Sequence, residues 1–344
     1  MSVKYLSVSI PEIGELKEII PGIFWLRMPL PFDLDHINLY LIDDGDAGYA
    51  LIDTGISTAK VESLWNDICS RLDKPISKVI VTHLHPDHIG MAGFLVEKFR
   101  VPFYMSHAEY FTARALSAGP RGASDWQDDE YLAMCGMSEE YIGKAKARRS
   151  SSPGLSQVIR PIPIQFERLQ AADLLQIGNS SWRVHIGRGH SPEHVCLYNE
   201  ETKILISGDH VLPGISPNIG VYSTEPNANT LKMYLETLPP FLNLPADTLV
   251  LPSHKQPFYG LHQRINELMS HHKAHLKNLT EFCESGKTIQ SCLKVLFKRD
   301  LNEHNMFFAI AEAFSHLNYL YFEGYCSRDK NEHGQYIFTS IKQF

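Results

Sequence analysis

The 344-residue sequence predicts an α/β fold followed by a small helical domain, and three observations point to it. Residues 23–55 alternate short apolar runs with turn-forming clusters, the pattern of an antiparallel β meander. From residue 58 onward helical and strand-like periodicities take turns, as in chains that lay helices against sheets. Four apolar runs, ending near Val81, Ile186, Ile206 and Leu251, are followed within a few residues by histidine or aspartate. Open α/β sheets gather strand ends of this kind into one crevice.

In chain order, Ile23 to Leu26, Ile37 to Ile42 and Tyr49 to Ile52 supply the meander strands, with Asp43-Asp44-Gly45-Asp46 as a hairpin turn. The last strand stops at Asp53-Thr54-Gly55, where an acid and a glycine follow the apolar run. Residues 58–72 put Val61, Leu64, Trp65 and Ile68 on one helical stripe. Val79-Ile80-Val81 is a β-branched run suited to a buried strand, and it runs into Thr82-His83-Leu84-His85-Pro86-Asp87-His88-Ile89-Gly90.

That stretch holds four metal-ligand side chains within six residues. Residues two apart in an extended chain project to the same side, so His83 and His85 can share one ion. Pro86 pushes His85 towards the extended region. Asp87 and His88 are adjacent and cannot easily converge with both earlier histidines, so a second ion is the simpler solution. Gly90 is expected to let the backbone turn tightly, after which Ala92, Leu95, Val96 and Phe99 take up helical spacing. A lone histidine is usually a packed or surface residue; four ligands at this spacing on a strand exit are not.

His-x-His-x-Asp-His resembles the signature of the metallo-β-lactamase fold hydrolases, glyoxalase II-like enzymes among them. The resemblance implies a four-layer αββα sandwich and a set of ligands spread along the chain. Gly189-His190-Ser191-Pro192 matches the loop that brings a single histidine, Gly208-Asp209 the bridging carboxylate, and Ser253-His254 the last ligand. By resemblance His83, His85 and His190 hold one divalent ion, and Asp87, His88 and His254 the other. Asp209 lies between the two ions, with Asp87 and Asp209 the catalytic carboxylates. Asp53 would then orient a ligand from behind, with capping of the next helix as the equal alternative.

Glu193-His194 departs from the Gly-His or Gly-Ser of many relatives, and these two side chains either hold the loop or face substrate. His185 reads as a packed strand histidine, and His210, the Pro213 to Pro217 loop and Tyr222 as pocket wall. His107 takes no assigned role.

Residues 108–160 read as a helical insert, broken at Gly119-Pro120-Arg121-Gly122, helical from Trp126 to Tyr141, and flexible at Ser150 to Gly154. It is either a lid, with Trp126, Tyr131 and Met137 selecting substrate, or ordinary surface helices.

After His254 the pattern turns helical, which sets a catalytic domain at 1–260 and a C-terminal domain at 261–344. His262 to Cys283 is one helix, with His271, His272 and His275 expected on a solvated face. Ile289, Leu293, Leu296 and Phe297 mark the next helix, and Phe307, Ile310, Phe314, Leu317 and Tyr321 a third. Glu312 and His316 read as a surface pair on it. Tyr325 to Ile341 reads as a terminal hairpin, and the whole is similar to the winged-helix-like segment appended to some members of the family.

Composition narrows the function classes. No apolar run nears the roughly eighteen residues that span a bilayer, and none precedes Pro11, so no membrane segment or secretory signal is expected and the cytoplasm is the expected location. Six scattered cysteines without CxxC pairs argue for reduced thiols over a cysteine zinc site. Net charge is −7, and after residue 254 there are 11 basic against 9 acidic side chains, a weak footprint for nucleic acid. A small-molecule substrate is the expected partner, and nothing in the sequence opposes a homo-oligomer.

The cofactor implied is a pair of divalent ions. Nitrogen and oxygen donors without cysteine suit zinc, and histidine at 85, where the family's redox di-iron branch has an acid, points the same way; iron or manganese also fits. Two such ions share a water whose pKa falls towards about 7, which then attacks an acyl carbon or a phosphorus. Hydrolysis of a small ester, thioester or lactone is the first expectation, and a phosphodiesterase or ribonuclease the second. A nucleic-acid-binding or scaffolding protein with a vestigial site is the third, and the seven intact ligands oppose it.

Overall fold

The computed structural model describes residues 3–118, 126–151, 157–298 and 300–344. The Gly119 to Gly122 break and the Ser152-Pro153-Gly154 exit lie outside them. After the short β1 (Lys4–Tyr5), strands β2 (Leu16–Ile20), β3 (Ile23–Pro29), β4 (His36–Asp43) and β5 (Tyr49–Ile52) pair antiparallel in succession, the expected meander with one strand added in front. Helix α1 (Ala59–Arg71), capped by the Thr58 side chain, crosses to β6 (Ile76–Ile80), which pairs parallel to β5. Short α2 (Pro86–Ile89) and α3 (Ala92–Phe99) lead to β7 (Phe103–Ser106) and α4 (His107–Ser117). Beyond α5 (Trp126–Met134) and α6 (Glu139–Ser151), β8 (Glu167–Leu169) completes a seven-stranded sheet in the order β2-β3-β4-β5-β6-β7-β8.

A second seven-stranded sheet follows from β9 (Leu174–Ile177), β10 (Ser180–Gly187), β11 (His194–Asn199) and β12 (Ile204–Gly208). Past α7 (Thr230–Thr237) come β13 (Leu249–Pro252) and β14 (Phe258–Tyr259), giving the order β1-β14-β13-β12-β11-β10-β9. The remainder is α8 (Leu261–Phe282), α9 (Ile289–Leu296), α10 (Glu303–Phe322) and a hairpin of β15 (Cys326–Lys330) and β16 (Tyr336–Ser340).

Alternation along the first sheet explains why its strands read as almost unbroken apolar runs. On β5, Tyr49 and Leu51 face one way and join Val61, Trp65 and Ile68 of α1 and Leu95 of α3. Ala50 and Ile52 face the other way, with Trp25, Tyr40 and Ile80, and meet Trp182, Val184, Leu197, Ile206 and Leu251 of the second sheet. A strand buried on both faces has no solvent side to mark with polar residues. The sheets therefore pack face to face with helices outside, the sandwich that the His-x-His-x-Asp-His motif implied.

The described residues divide into two compact units. The first comprises Met1–Gly119, Gly154–Pro217 and Pro240–Arg264; the second comprises Pro120–Pro153, Asn218–Pro239 and Ile265–Phe344. Helices α5, α6 and α7 thus belong with the C-terminal elements. Within that unit the Tyr131 hydroxyl donates to the Val221 carbonyl at 2.7 Å, and the Gln290 amide to that of Cys135 at 2.9 Å.

Three expectations need correction. The helix expected from Trp126 to Tyr141 is two helices, because Gly136 takes φ 84° and ends the first. Gly90 does sit at the turn between α2 and α3, but in a right-handed helical conformation open to any residue; a Cβ there would come within 2.4 Å of the Pro86 carbonyl and 2.6 Å of Gly55 O, so it is glycine for close approach. The histidines of α8 and the pair on α10 are not on solvated faces. His272, Glu312 and His316 are buried and His275 is half-buried, leaving only His271 exposed. The reason lies in α10, whose residues Ala309 to Asn318 are buried all round, so no surface face exists there for an i, i+4 pair.

No helix among the described residues is long and apolar enough to cross a membrane. All six cysteines are free thiols.

Candidate metal centre

Parallel pairing of β5 and β6 puts their C-terminal ends side by side, and the first contact of the site follows from it. The Thr82 amide donates to Asp53 Oδ1 at 2.8 Å, and the Thr82 hydroxyl to Oδ2 at 2.9 Å. Asp53 is held at φ 60°, a conformation that Asp and Asn tolerate better than most residues. Its Oδ2 also accepts from His88 Nδ1 at 2.7 Å, so it orients a histidine, and the cap of α1 is Thr58 instead. His85 has φ −64° and ψ 146°, the extended geometry that the following proline requires.

From these ends the seven side chains named in the sequence come together. His83 Nε2 lies 2.9 Å from His85 Nδ1 and 3.2 Å from His190 Nε2. Asp87 Oδ2 is 3.5 Å from Nε2 of both His88 and His254. Asp209, released from β12, stands between the two groups: Oδ2 is 3.5 Å from His190 Nε2 and 3.6 Å from His88 Nε2, and Oδ1 is 3.4 Å from His254 Nε2. His83, His85 and His190 offer donor atoms within 4.8 Å of one another, and so do Asp87, His88 and His254.

Hydrogen bonds behind the histidines decide which nitrogen faces inward. His83 Nδ1 contacts the Thr82 hydroxyl at 3.0 Å, His88 Nδ1 contacts Asp53, and His254 Nδ1 contacts the His36 carbonyl at 2.9 Å. With a proton on each Nδ1, each Nε2 turns a lone pair to the centre.

Electrostatics match that donor set. Burial pushes His83 well below the ordinary imidazole range and His85 down to about 3, so both are neutral. Burial works against ionised Asp87 and Asp209, but the neighbouring His88 and His254 outweigh it and hold both carboxyls ionised. The same carboxylates overcome burial to raise His88 and His254. His88 Nε2 and Asp209 Oδ1 are buried and make no hydrogen bond. Buried polar atoms without a bond are costly, and converging lone pairs around ionised carboxylates fit divalent cations.

Several residues that position this centre were not singled out in the sequence. Glu109 on α4 is completely buried and accepts from the Leu84 amide at 2.9 Å and the Glu193 amide at 2.7 Å, so one carboxyl ties the His83 loop to the His190 loop. Burial raises its pKa to about 7 against the pull of those bonds. Its only sequence signal is an acid on the buried face of a helix. Asn38, inside an apolar run, donates to the carbonyls of Pro252 and Lys255, and His36 Nε2 accepts from the Lys255 amide, fixing the turn that carries His254.

The ambiguous residues now have places. His194 is buried, stacks on His83 at 4.6 Å and accepts from the Asp209 amide at 3.0 Å, while Glu193 accepts from the Ala108 amide. Both hold loops. His210 is no pocket wall: it is fully buried, 5.3 Å from the Phe241 ring. His185 packs on Phe241 and Tyr198, and His107 is exposed at the start of α4.

The family model described as the metallo-beta-lactamase superfamily matches residues 32–254, which takes in all seven of these side chains. The chain belongs to that superfamily. A second model, for a metallo-beta-lactamase-like C-terminal domain, matches residues 276–341 of this superfamily member. A beta-lactamase domain protein from Burkholderia ambifaria has 37% identity and a TM-score of 0.91, with 98% of each chain covered. The probable metallo-hydrolase YqjP of Bacillus subtilis is 23% identical over 309 residues, 86% of this chain and 91% of its own. Human acyl-coenzyme A thioesterase MBLAC2 is 28% identical over 213 residues, 58% of this chain and 66% of its own. This superfamily member is a hydrolase.

Proposed function

We propose that the protein is a binuclear metal-dependent hydrolase acting on a small ester, thioester or lactone, with acyl thioesters first among them. The observation behind this reading is the position of Asp209, whose carboxylate reaches His190 of one histidine group and both His88 and His254 of the other. His83, His85 and His190 would hold one ion and Asp87, His88 and His254 the other, with Asp209 placed to serve both. Three-nitrogen and mixed nitrogen–oxygen donor groups without sulfur suit zinc. When bound, such a pair supplies Lewis acidity and a water acidic enough to act as nucleophile near neutral pH.

The chain's own residues do the rest. His83, His88 and His254 are locked as Nε2 donors by Thr82, Asp53 and His36, so little reorganisation is needed on loading. Asp87 and Asp209 stay ionised and offset the charge of the site. No serine or cysteine nucleophile is required.

The thioester preference rests on likeness to acyl-coenzyme A thioesterase MBLAC2. The C-terminal helices and hairpin, read as winged-helix-like, motivate the phosphodiesterase alternative, and the weak positive charge of that region opposes it.

Elemental analysis of the purified protein, paired with a screen of acyl thioesters, p-nitrophenyl acyl esters, lactones and bis(p-nitrophenyl) phosphate, tests this. At least two ions per chain and turnover of an acyl compound are expected. A fully loaded protein that cleaves only the phosphodiester overturns the acyl reading.

A further inference from the structure

A second group of metal-ligand side chains lies in the C-terminal unit, in residues the hydrolytic centre does not use. On α8, His272 and His275 stand three residues apart, and on α10 Glu312 and His316 stand four apart, so each pair shares a helix face. The two faces meet. His275, Glu312 and His316 each present a donor atom, and these atoms lie within 4.8 Å of one another. His316 Nε2 is 3.1 Å from His272 Nδ1, which brings a third imidazole to the same place.

The surroundings resemble those of a ligand set more than those of a packed core. His316 Nδ1 contacts the Glu312 carbonyl at 2.8 Å, which fixes a proton there and turns Nε2 inward. Glu312 Oε2 accepts from Asn218 Nδ2 at 3.1 Å, a carboxylate steadied from outside the group. His272 Nε2 and His275 Nδ1 are buried atoms that make no hydrogen bond. A helical interface that needed only packing would use leucine here, as it does at Leu268, Leu276 and Leu279 of α8 and Leu317 of α10.

We propose that His275, Glu312 and His316, with His272 alongside, bind one divalent transition-metal ion that staples α8 to α10, separate from the hydrolytic centre. Imidazole and carboxylate donors without sulfur put zinc first among the ions such a site takes, with cobalt as a spectroscopic substitute. Burial favours the neutral imidazoles that a ligand needs, holding His316 at about 3 and His275 at about 4. Burial also lifts Glu312 to about 7, and a bound cation would restore the ionised form.

The test counts metal in the full chain. Wild type, His275→Ala and Glu312→Gln are equilibrated with excess Zn²⁺, freed of unbound ion by gel filtration, and measured by inductively coupled plasma mass spectrometry. Each variant should hold one equivalent fewer than wild type while keeping acyl hydrolysis unchanged. His275 is half-exposed, so its replacement is the milder of the two, and circular dichroism confirms the fold. Independently, Asp209→Ala loaded with Co²⁺ should show a visible absorption band that is weakened when His275→Ala is added. Equal metal counts in wild type and both folded variants, or a cobalt spectrum indifferent to His275, would overturn the proposal. Because the readout is a difference at α8 and α10, it stands or falls separately from the number of ions the hydrolytic centre retains.

Discussion

Asp53 Oδ2 lies 2.7 Å from His88 Nδ1, and that single contact settles which nitrogen of His88 faces Asp87 and Asp209. Asp53→Asn keeps a residue able to hold φ 60° but leaves one oxygen to serve both the Thr82 amide and His88. Metal affinity should fall by about 10- to 100-fold, the usual cost of losing a ligand's supporting partner, with the melting temperature near wild type. Asp53→Ala should show the same loss of affinity and also lose about 1 kcal/mol of stability from the strained backbone. Equilibrium dialysis against a competing chelator and thermal melts separate the two effects.

Asp209→Ala removes the one carboxylate that faces both histidine groups. Hydrolysis should drop by more than about a hundredfold and metal content should fall, because each proposed ion loses a ligand. A variant that stays fully loaded and active contradicts the placement of Asp209 between two ions. Metal analysis and initial rates on the same preparation decide it.

Glu109→Gln tests the tie between the two ligand loops and has a pH signature. The carboxyl has its pKa raised from 4.5 to about 7 by burial, so the folded state binds its proton more tightly than the unfolded chain does. Stability from this group is complete below about pH 4.5 and is lost as pH rises through 7, by roughly 3 kcal/mol at most. The glutamine does not ionise, so its melting temperature relative to wild type should improve between pH 5 and pH 8. At low pH it should be the less stable of the two, since an amide NH₂ then faces one of the two backbone donors, Leu84 N or Glu193 N. Melts of metal-free protein across that range measure both limbs.

Gly90→Ala puts a methyl group 2.4 Å from the Pro86 carbonyl and 2.6 Å from Gly55 O and Ser57 N. These are backbone atoms that cannot swing aside, so the change should cost about 1 to 3 kcal/mol. It should also displace α2 and with it Asp87 and His88. Denaturant unfolding gives the first number, and metal affinity reports the second.

The side chains that meet at the candidate metal centre could be read from the sequence because they follow apolar strands, and strand ends in an α/β sheet converge whatever the intervening loops do. Asp53, His83, Asp209 and His254 all carry that local mark. Glu109, Asn38 and His36 do not, since what they do depends on amides and carbonyls far along the chain: Asn38 acts on Pro252, and Glu109 on Glu193.

By itself, then, the sequence determined the sandwich, the histidines and aspartates at the strand ends and the three helices with a hairpin at the C-terminus, because period, turn chemistry and motif spacing are local properties. The tertiary structure alone decided which nitrogen of His83, His88 and His254 faces the centre, that Gly90 is a contact point, and that His272 and His275 of α8 meet Glu312 and His316. A helical wheel identifies which residues share a face. Whether that face meets water or another helix is set by packing between distant segments, and no local pattern encodes it.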